Sequence, residues 1–209
     1  MSVLNNLKWR YATKRMNGQK LPDDKLEIIL EAIRLAPSSI GLQPYTILVI
    51  GNDELRRIIA PAINNQHQIT EGSYVLVFAA WKEFSNENLE KYLNRIVAER
   101  GVTLESLEGL RKSILGAIAR RTPEQLLNWN MRQAYIALGF GLVAAAEEQV
   151  DATPMEGFDP DALDAVLGLQ EKGLRSTVIL TLGYRDTEKD YLSSAAKVRR
   201  NKEELFVRL

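Results

Sequence analysis

The stretch "QAYIALGFGLVA", residues 133–144, has two readings that lead to different folds. Its second half, "GFGLVA" (139–144), spells the G-x-G-x-x-A fingerprint, in which glycines let a strand turn into a helix beside a bound pyrophosphate. That reading requires a strand before Gly139. The preceding "QAYIAL" instead continues a helix that starts after "RTPE" (121–124), where Thr122 offers a cap and Pro123 suits the first helical position. The spacing therefore predicts one long buried helix over about 124–149, with Gly139 and Gly141 permitting close helix packing. The apolar run "AYIALGFGLVAAA" (134–146) inside it is too short to cross a bilayer.

Working outward, "LPDDKLEIILEAIRLA" (21–36) places Leu26, Ile29, Leu30 and Ile33 at helical spacing behind the acidic start Asp23 and Asp24. Pro37 ends that helix, Ser38 to Leu42 form a polar loop, and "YTILVI" (45–50) reads as a strand. A short helix, "DELRRIIAPAI" (53–63), separates it from a second strand, "SYVLVFAAW" (73–81), so the two cannot form a tight hairpin. Residues 85–121 are charged and helical, "DATPMEGFDPDAL" (151–163) reads as a turn-rich loop leading into the short helix "DPDALDAVLGL" (159–169), and "RSTVILTLGY" (175–184) is a third strand. Strands separated by helices predict a two- or three-layer arrangement of both element types. There is no internal repeat or low-complexity segment, and 209 residues with 45% hydrophobic content suit a single domain over 1–209.

Charge and composition exclude several functions. Lys+Arg and Asp+Glu number 27 each, which leaves no global basic footprint for nucleic acid or an anionic membrane. Cysteine is absent, removing disulfides, thiolate nucleophiles and zinc-thiolate sites, and a reducing compartment, the cytoplasm, is the expectation. The start "MSVLNNLKWRYATKR" shows no apolar signal core. His67 is the only histidine, in the polar "NNQHQ" where an exposed loop position is expected, so a multi-histidine metal site is excluded. No carboxylate-rich metal loop is present, and no metal is expected. A chain so short of activated side chains can still catalyse when a bound cofactor carries the reactive atom.

"RYATK" (10–14), "APSSIGLQPYTILVI" (36–50), "TPMEGF" (153–158) and "AAKVR" (195–199) occur in the order of the FMN-dependent nitroreductase family, and the chain resembles its oxygen-insensitive NAD(P)H nitroreductase and dihydropteridine reductase branch. The resemblance runs from Arg10 to Arg199. It implies an α+β fold: a central mixed, mainly antiparallel sheet flanked by helices, with the long helix at a dimer interface and a C-terminal extension wrapping the partner. It also implies a homodimer with FMN in two shared sites, and NADH or NADPH as co-substrate.

By the same resemblance, Arg10, Lys197 and Arg199 match phosphate-binding positions, and Lys14 matches the residue at the flavin pyrimidine edge. Pro154, Met155, Glu156 and Gly157 match the turn whose backbone N–H faces flavin N5, the atom that carries the chemistry in place of any catalytic side chain. Pro37, Ser38 and Ser39 match a loop laid along the flavin by the second subunit, while Gln43 and Pro44 anchor the strand that follows. Asn65 matches a further contact. Ala12 stands where Ser is usual, Gly41 where many members have Asn, and Gln68 where the branch has Lys, each losing a polar contact to the cofactor. The segment 85–121, including Ile114 and Leu115, would cover the cleft and select the acceptor: a nitroaromatic, a quinone or a pterin. Flavin reduction, reductive dehalogenation and a non-catalytic dimeric scaffold are the alternatives.

Overall fold

A computed structural model describes residues 2–209. The elements run α1 (Val3–Trp9), α2 (Asp23–Arg34), β1 (Tyr45–Ile50), α3 (Asp53–Ile59), α4 (His67–Glu71), β2 (Tyr74–Trp81), α5 (Asn86–Arg100), α6 (Glu108–Ala119), α7 (Pro123–Glu147), β3 (Asp151–Met155), α8 (Pro160–Leu167), β4 (Leu174–Gly183) and α9 (Lys202–Leu205). The strands form one sheet in the order β1-β2-β4-β3, and every pairing is antiparallel. In register, Ile47 faces Phe78, Val77 faces Ile179 and Thr153 faces Thr181. Phe78 pairs with Val178 and Ala79 with Ser176, so Thr177 is an extra residue that bulges β4.

The two-residue period of a strand sends alternate side chains of β2 and β4 to opposite faces. Leu76, Phe78, Val178, Leu180 and Leu182 meet Ile29 and Ile33 of α2 and Ala134, Ala137 and Ala145 of α7. Val75, Val77 and Ile179 meet Ile59, Ile63, Ile69 and Leu163 beneath α3, α4 and α8. This three-layer packing explains why "YVLVFAA" is apolar without alternation: both faces of the strand are covered. Beside the layers, α5 and α6 make a small core of their own from Leu89, Leu93 and Ile114, tied by the Arg111–Glu90 ion pair.

α7 starts at a capping box in which Thr122 and Gln125 satisfy each other's backbone N–H groups, with Pro123 at the first position. The six residues 139–144 lie inside it, as helical continuity required. A Cβ built on Gly141 would sit 3.0 Å from both Cδ1 and Cγ1 of Ile33, so this glycine sets how closely α7 approaches α2. Gly139 meets nothing within 4 Å; it faces an apolar hollow of about 640 Å³ with Val3, Tyr135, Ile136, Phe140 and Val143.

Two expectations need correction. The loop expected over 151–163 begins as the edge strand β3, which Asp151, Thr153 and Pro154 disguise; proline is tolerated there because an edge strand can spare a donor. His67 is exposed as expected but opens α4 instead of lying in a loop.

Gly141→Val should destabilise the protein by about 1–3 kcal/mol through overpacking against Ile33. Gly116→Ala, at a position with nothing within 4 Å, should change stability by less than about 1 kcal/mol and in the favourable direction. Urea unfolding of both variants checks the contrast.

Candidate functional site

The segment between α1 and Met16 lies against β3, which Arg10 and Thr13 both contact. Thr13 is fully buried: its carbonyl accepts hydrogen bonds from Gln68 Nε2 at 2.8 Å and Thr153 Oγ1 at 3.0 Å, and its hydroxyl lies 2.9 Å from Thr153 Oγ1. Asp190, also buried, accepts from Tyr11 Oη at 3.0 Å and from the Lys14 N–H at 2.8 Å. Arg15 and the Met16 N–H both engage Glu71. Thr13 is thus pinned inward, while Arg10, Ala12 and Lys14, with Trp9 and Tyr11 beside them, border a common space.

These three residues line a hollow of about 600 Å³ together with Pro154, Lys197 and Arg199. Its cations come from both ends of the chain. The Arg10 Nη2 donates to the Ala152 carbonyl at 3.3 Å, while its buried Nε has no partner. Lys197 Nζ donates to the Leu7 and Arg10 carbonyls. Among the described residues, none of Arg10, Lys14, Lys197 and Arg199 has a carboxylate within 4.0 Å. The nearby Asp151 is engaged by Arg185 at 2.6 Å, and that guanidinium also lies over Trp9 at 4.3 Å and Tyr11 at 4.6 Å.

The electrostatics follow from this crowding. Burial, and then the neighbouring Arg199, lower the Arg10 pKa below its ordinary value against an opposing pull from Asp151. Burial, then Arg10 and Arg199, lower that of Lys197. Like charges held together without a counter-ion repel one another, an arrangement that an anion would relieve. Burial and the bond to Asp190 raise the Tyr11 pKa, so this hydroxyl stays a donor at neutral pH.

The β3 turn supplies a different surface. Met155 is buried at the strand end, Glu156 Oε1 accepts from Tyr135 Oη at 2.5 Å, and the Gly157 carbonyl accepts from Asn64 Nδ2 at 2.9 Å and Gln66 Nε2 at 3.0 Å. The backbone N–H groups of Glu156 and Gly157 have no protein acceptor among the described residues. Asn64 and Gln66 were missed by sequence reasoning, although the run of amides in "NNQHQ" is a signal for a backbone clamp. Asn65 lies between them with a left-handed backbone, φ 49°.

The other expected residues lie elsewhere in the chain. Gln68 is not in the hollow: it is buried beneath the Arg10–Lys14 segment and holds the Thr13 carbonyl, so it acts on the backbone behind the site. Pro37, Ser38, Ser39 and Gly41 sit on a loop beside α7, where Gln133 Oε1 accepts the Ser39 N–H at 2.7 Å. Ser38 Oγ accepts the Gln43 N–H at 2.9 Å, and Gln43 Nε2 caps the Arg34 carbonyl at the end of α2. Ile40, Gly41 and Gln43 all have positive φ, 63°, 76° and 47°, so this short loop stores backbone strain. Residues 85–121 do not line the cationic hollow; Asn88, Lys91, Tyr92 and Arg95 instead line a separate cavity with α2 and β1.

Among the described residues no helix is long and apolar enough to cross a membrane, and no cluster of three or more carboxylate or histidine side chains could hold a metal ion. The three-layer packing around one antiparallel sheet, with a cationic hollow beside β3, defines an α+β protein. Residues 7–184 match the model described as the Nitroreductase family, and the chain belongs to that family. It is 29% identical over 211 residues to the major NAD(P)H-flavin oxidoreductase of Aliivibrio fischeri, covering 98% of this chain and 97% of the relative. It is 28% identical to the oxygen-insensitive NAD(P)H nitroreductase of Salmonella typhimurium, covering 90% and 91%. A nitroreductase-type chain from Exiguobacterium sibiricum, solved in complex with FMN, shares the fold with a TM-score of 0.86 at 20% identity, covering 100% and 98% of the two chains.

Asp190 connects the site to stability. Burial pushes its carboxyl up, but hydrogen bonds from the Leu192 and Lys14 N–H groups and from Tyr11 outweigh this and hold it below the usual range. A depressed folded pKa gives stability that is present above the unfolded pKa and lost as pH falls through the folded value. Asp190→Asn should therefore cost about 1–3 kcal/mol at neutral pH and flatten the loss of stability on acidification. Urea midpoints measured between neutral and acid pH check both effects.

Proposed function

We propose that the protein is a homodimeric FMN oxidoreductase that uses NADH or NADPH to reduce a nitroaromatic, quinone or pterin acceptor by a ping-pong sequence. The observation that carries this reading is the set of three cations, Arg10, Lys197 and Arg199, drawn from both chain ends into one hollow without a carboxylate partner. Guanidinium forks and an ammonium suit a phosphate dianion, and the orphaned Arg10 Nε offers a donor not yet used. The residues present therefore fit the FMN phosphate.

FMN, when bound, supplies the centre that accepts hydride from the nicotinamide and passes it to the acceptor. The chain's own residues orient and polarise it. Lys14, without a protein partner, places positive charge on the hollow's rim, where it favours a flavin that has gained negative charge. The N–H groups of Glu156 and Gly157 have no protein acceptor among the described residues and in this reading serve the opposite edge of the ring, with their turn held by Asn64 and Gln66. Ala12 contributes only a methyl group to the wall, so this chain holds the cofactor with fewer polar contacts than the family pattern.

The dimer is supported by what the single chain leaves open. The loop Pro37–Gly41 is preformed but remote from its own chain's cationic hollow, and the apolar face of α7 around Phe140 is uncovered. A twofold arrangement that covers this face brings the loop to the partner's site, with residues 85–121, among them the exposed Leu115, over the cleft. The similarity to a NAD(P)H-flavin oxidoreductase over almost the full chain also favours free flavin as an acceptor.

Purified protein should be yellow, and Arg10→Ala should weaken FMN binding by about 1.5–3 kcal/mol in a fluorescence titration. A colourless protein that added FMN does not restore overturns the proposal and favours the non-catalytic scaffold; a panel of nitro, quinone, pterin and flavin acceptors then ranks the activities. Phe140→Glu should give monomers in light scattering, with loss of FMN, because a charge on that face opposes its burial.

A further inference from the structure

A second group of cations lies outside the flavin hollow. Where α6 meets α7, Arg120, Arg121 and Arg132 border a cavity of about 480 Å³ with Trp129, Gln125 and Asn128. Six arginines elsewhere, Arg15, Arg34, Arg56, Arg111, Arg175 and Arg185, each pair with a carboxylate. In this cluster no guanidinium meets a carboxylate within 4.0 Å among the described residues, and Glu124 is the only acidic residue between positions 120 and 132. The total of 27 acidic residues against 27 basic ones leaves enough carboxylates to pair them, so the cluster is not a shortage of counter-charge.

The arginines differ in what they already do. Arg121 lies 4.8 Å over the Trp129 ring and donates to the Ala117 carbonyl, which fixes both side chains. Arg120 and Arg132 are exposed and have no hydrogen-bond partner among the described residues, so two complete forks point to the cavity beside a fixed indole. Two forks next to an aromatic wall match a pyrophosphate joined to a purine nucleoside.

Position narrows the ligand further. Trp129 and Gln133 are one turn apart on α7, about 6 Å at 1.5 Å per residue, and Gln133 holds the Ser39 N–H. The cavity therefore opens next to the loop that the flavin reading places on the partner's cofactor. We infer that Arg120 and Arg132, with Trp129 held by Arg121, bind the ADP half of the nicotinamide donor while its nicotinamide lies on the flavin. The inference rests on the flavin-oxidoreductase reading. The contact is with the pyrophosphate common to both donors, so the cluster raises affinity for NADH and NADPH alike.

The test uses the FMN-loaded dimer and the double variant Arg120→Ala/Arg132→Ala. KM for NADH and for NADPH should rise tenfold or more and by the same factor, with kcat at saturating donor unchanged. Reduced nicotinamide mononucleotide, which lacks the ADP half, should serve parent and variant equally. Calorimetric titration with ADP should show binding to the parent that the variant loses and Arg120→Lys/Arg132→Lys partly restores. An unchanged KM for the dinucleotides, an equal loss with the mononucleotide, or ADP binding that survives in the alanine variant would each overturn the inference. A protein that takes up no FMN would overturn the flavin reading instead, and the ADP titration would still decide the role of the arginines.

Discussion

The constraint on which the site depends is the confinement of three positive side chains, Arg10, Lys197 and Arg199, in one hollow that lacks a free carboxylate. Left to themselves these groups would separate into water. They are kept together because the chain on either side of them is tied down by unrelated bonds: Thr13 to Gln68 and Thr153, Tyr11 and Lys14 to Asp190, and Lys197 to the Leu7 and Arg10 carbonyls. Packing and hydrogen bonds to backbone groups and to Asp190 thus offset the repulsion among these cations, which is the preorganisation that the proposed cofactor site requires.

The sheet and α7 serve this arrangement. β3 is a short edge strand, yet it presents the Ala152 carbonyl to Arg10 and the Thr153 hydroxyl to Thr13, and it leads into the Glu156–Gly157 turn. α7 packs on the sheet through alanines and Gly141, and its N-terminal half aligns the Ser39 loop through Gln133 and the end of β2 through Asn130. One helix therefore sets the positions of the elements that the proposed dimer brings together around each site.

The parts of the fold legible in the sequence were those in which a single periodicity dominates. β1, β2 and β4 are apolar and β-branched, and the helical run through "GFGLVA" is continuous on both sides, so these elements lie where the residues place them. β3 was not legible because Asp151, Thr153 and Pro154 carry no apolar alternation; it is a strand because β4 offers a partner and because Asp151 and Thr153 have polar partners of their own. The cationic residues of the site were legible through motifs at both ends of the chain, and the structure brings Arg10, Ala12, Lys14, Pro154, Lys197 and Arg199 into one hollow. The bond from Gln68 to the Thr13 carbonyl was not legible, because side-chain direction on a five-residue helix cannot be taken from its sequence. The clamp by Asn64 and Gln66 depends on a left-handed backbone at Asn64, for which the amide run in "NNQHQ" is a signal that does not say which carbonyl is held.

The two borders of the sheet are unlike. Along β3 the outer rim is occupied by the Arg10–Thr13 segment and interrupted by an imino acid, whereas along β1 six consecutive residues, "YTILVI", carry no proline and no charge. A ribbon that can accept a neighbour on one border only cannot propagate indefinitely. Of the two borders, β1 is therefore the one that offers an unbroken row of backbone donors and acceptors to an added strand.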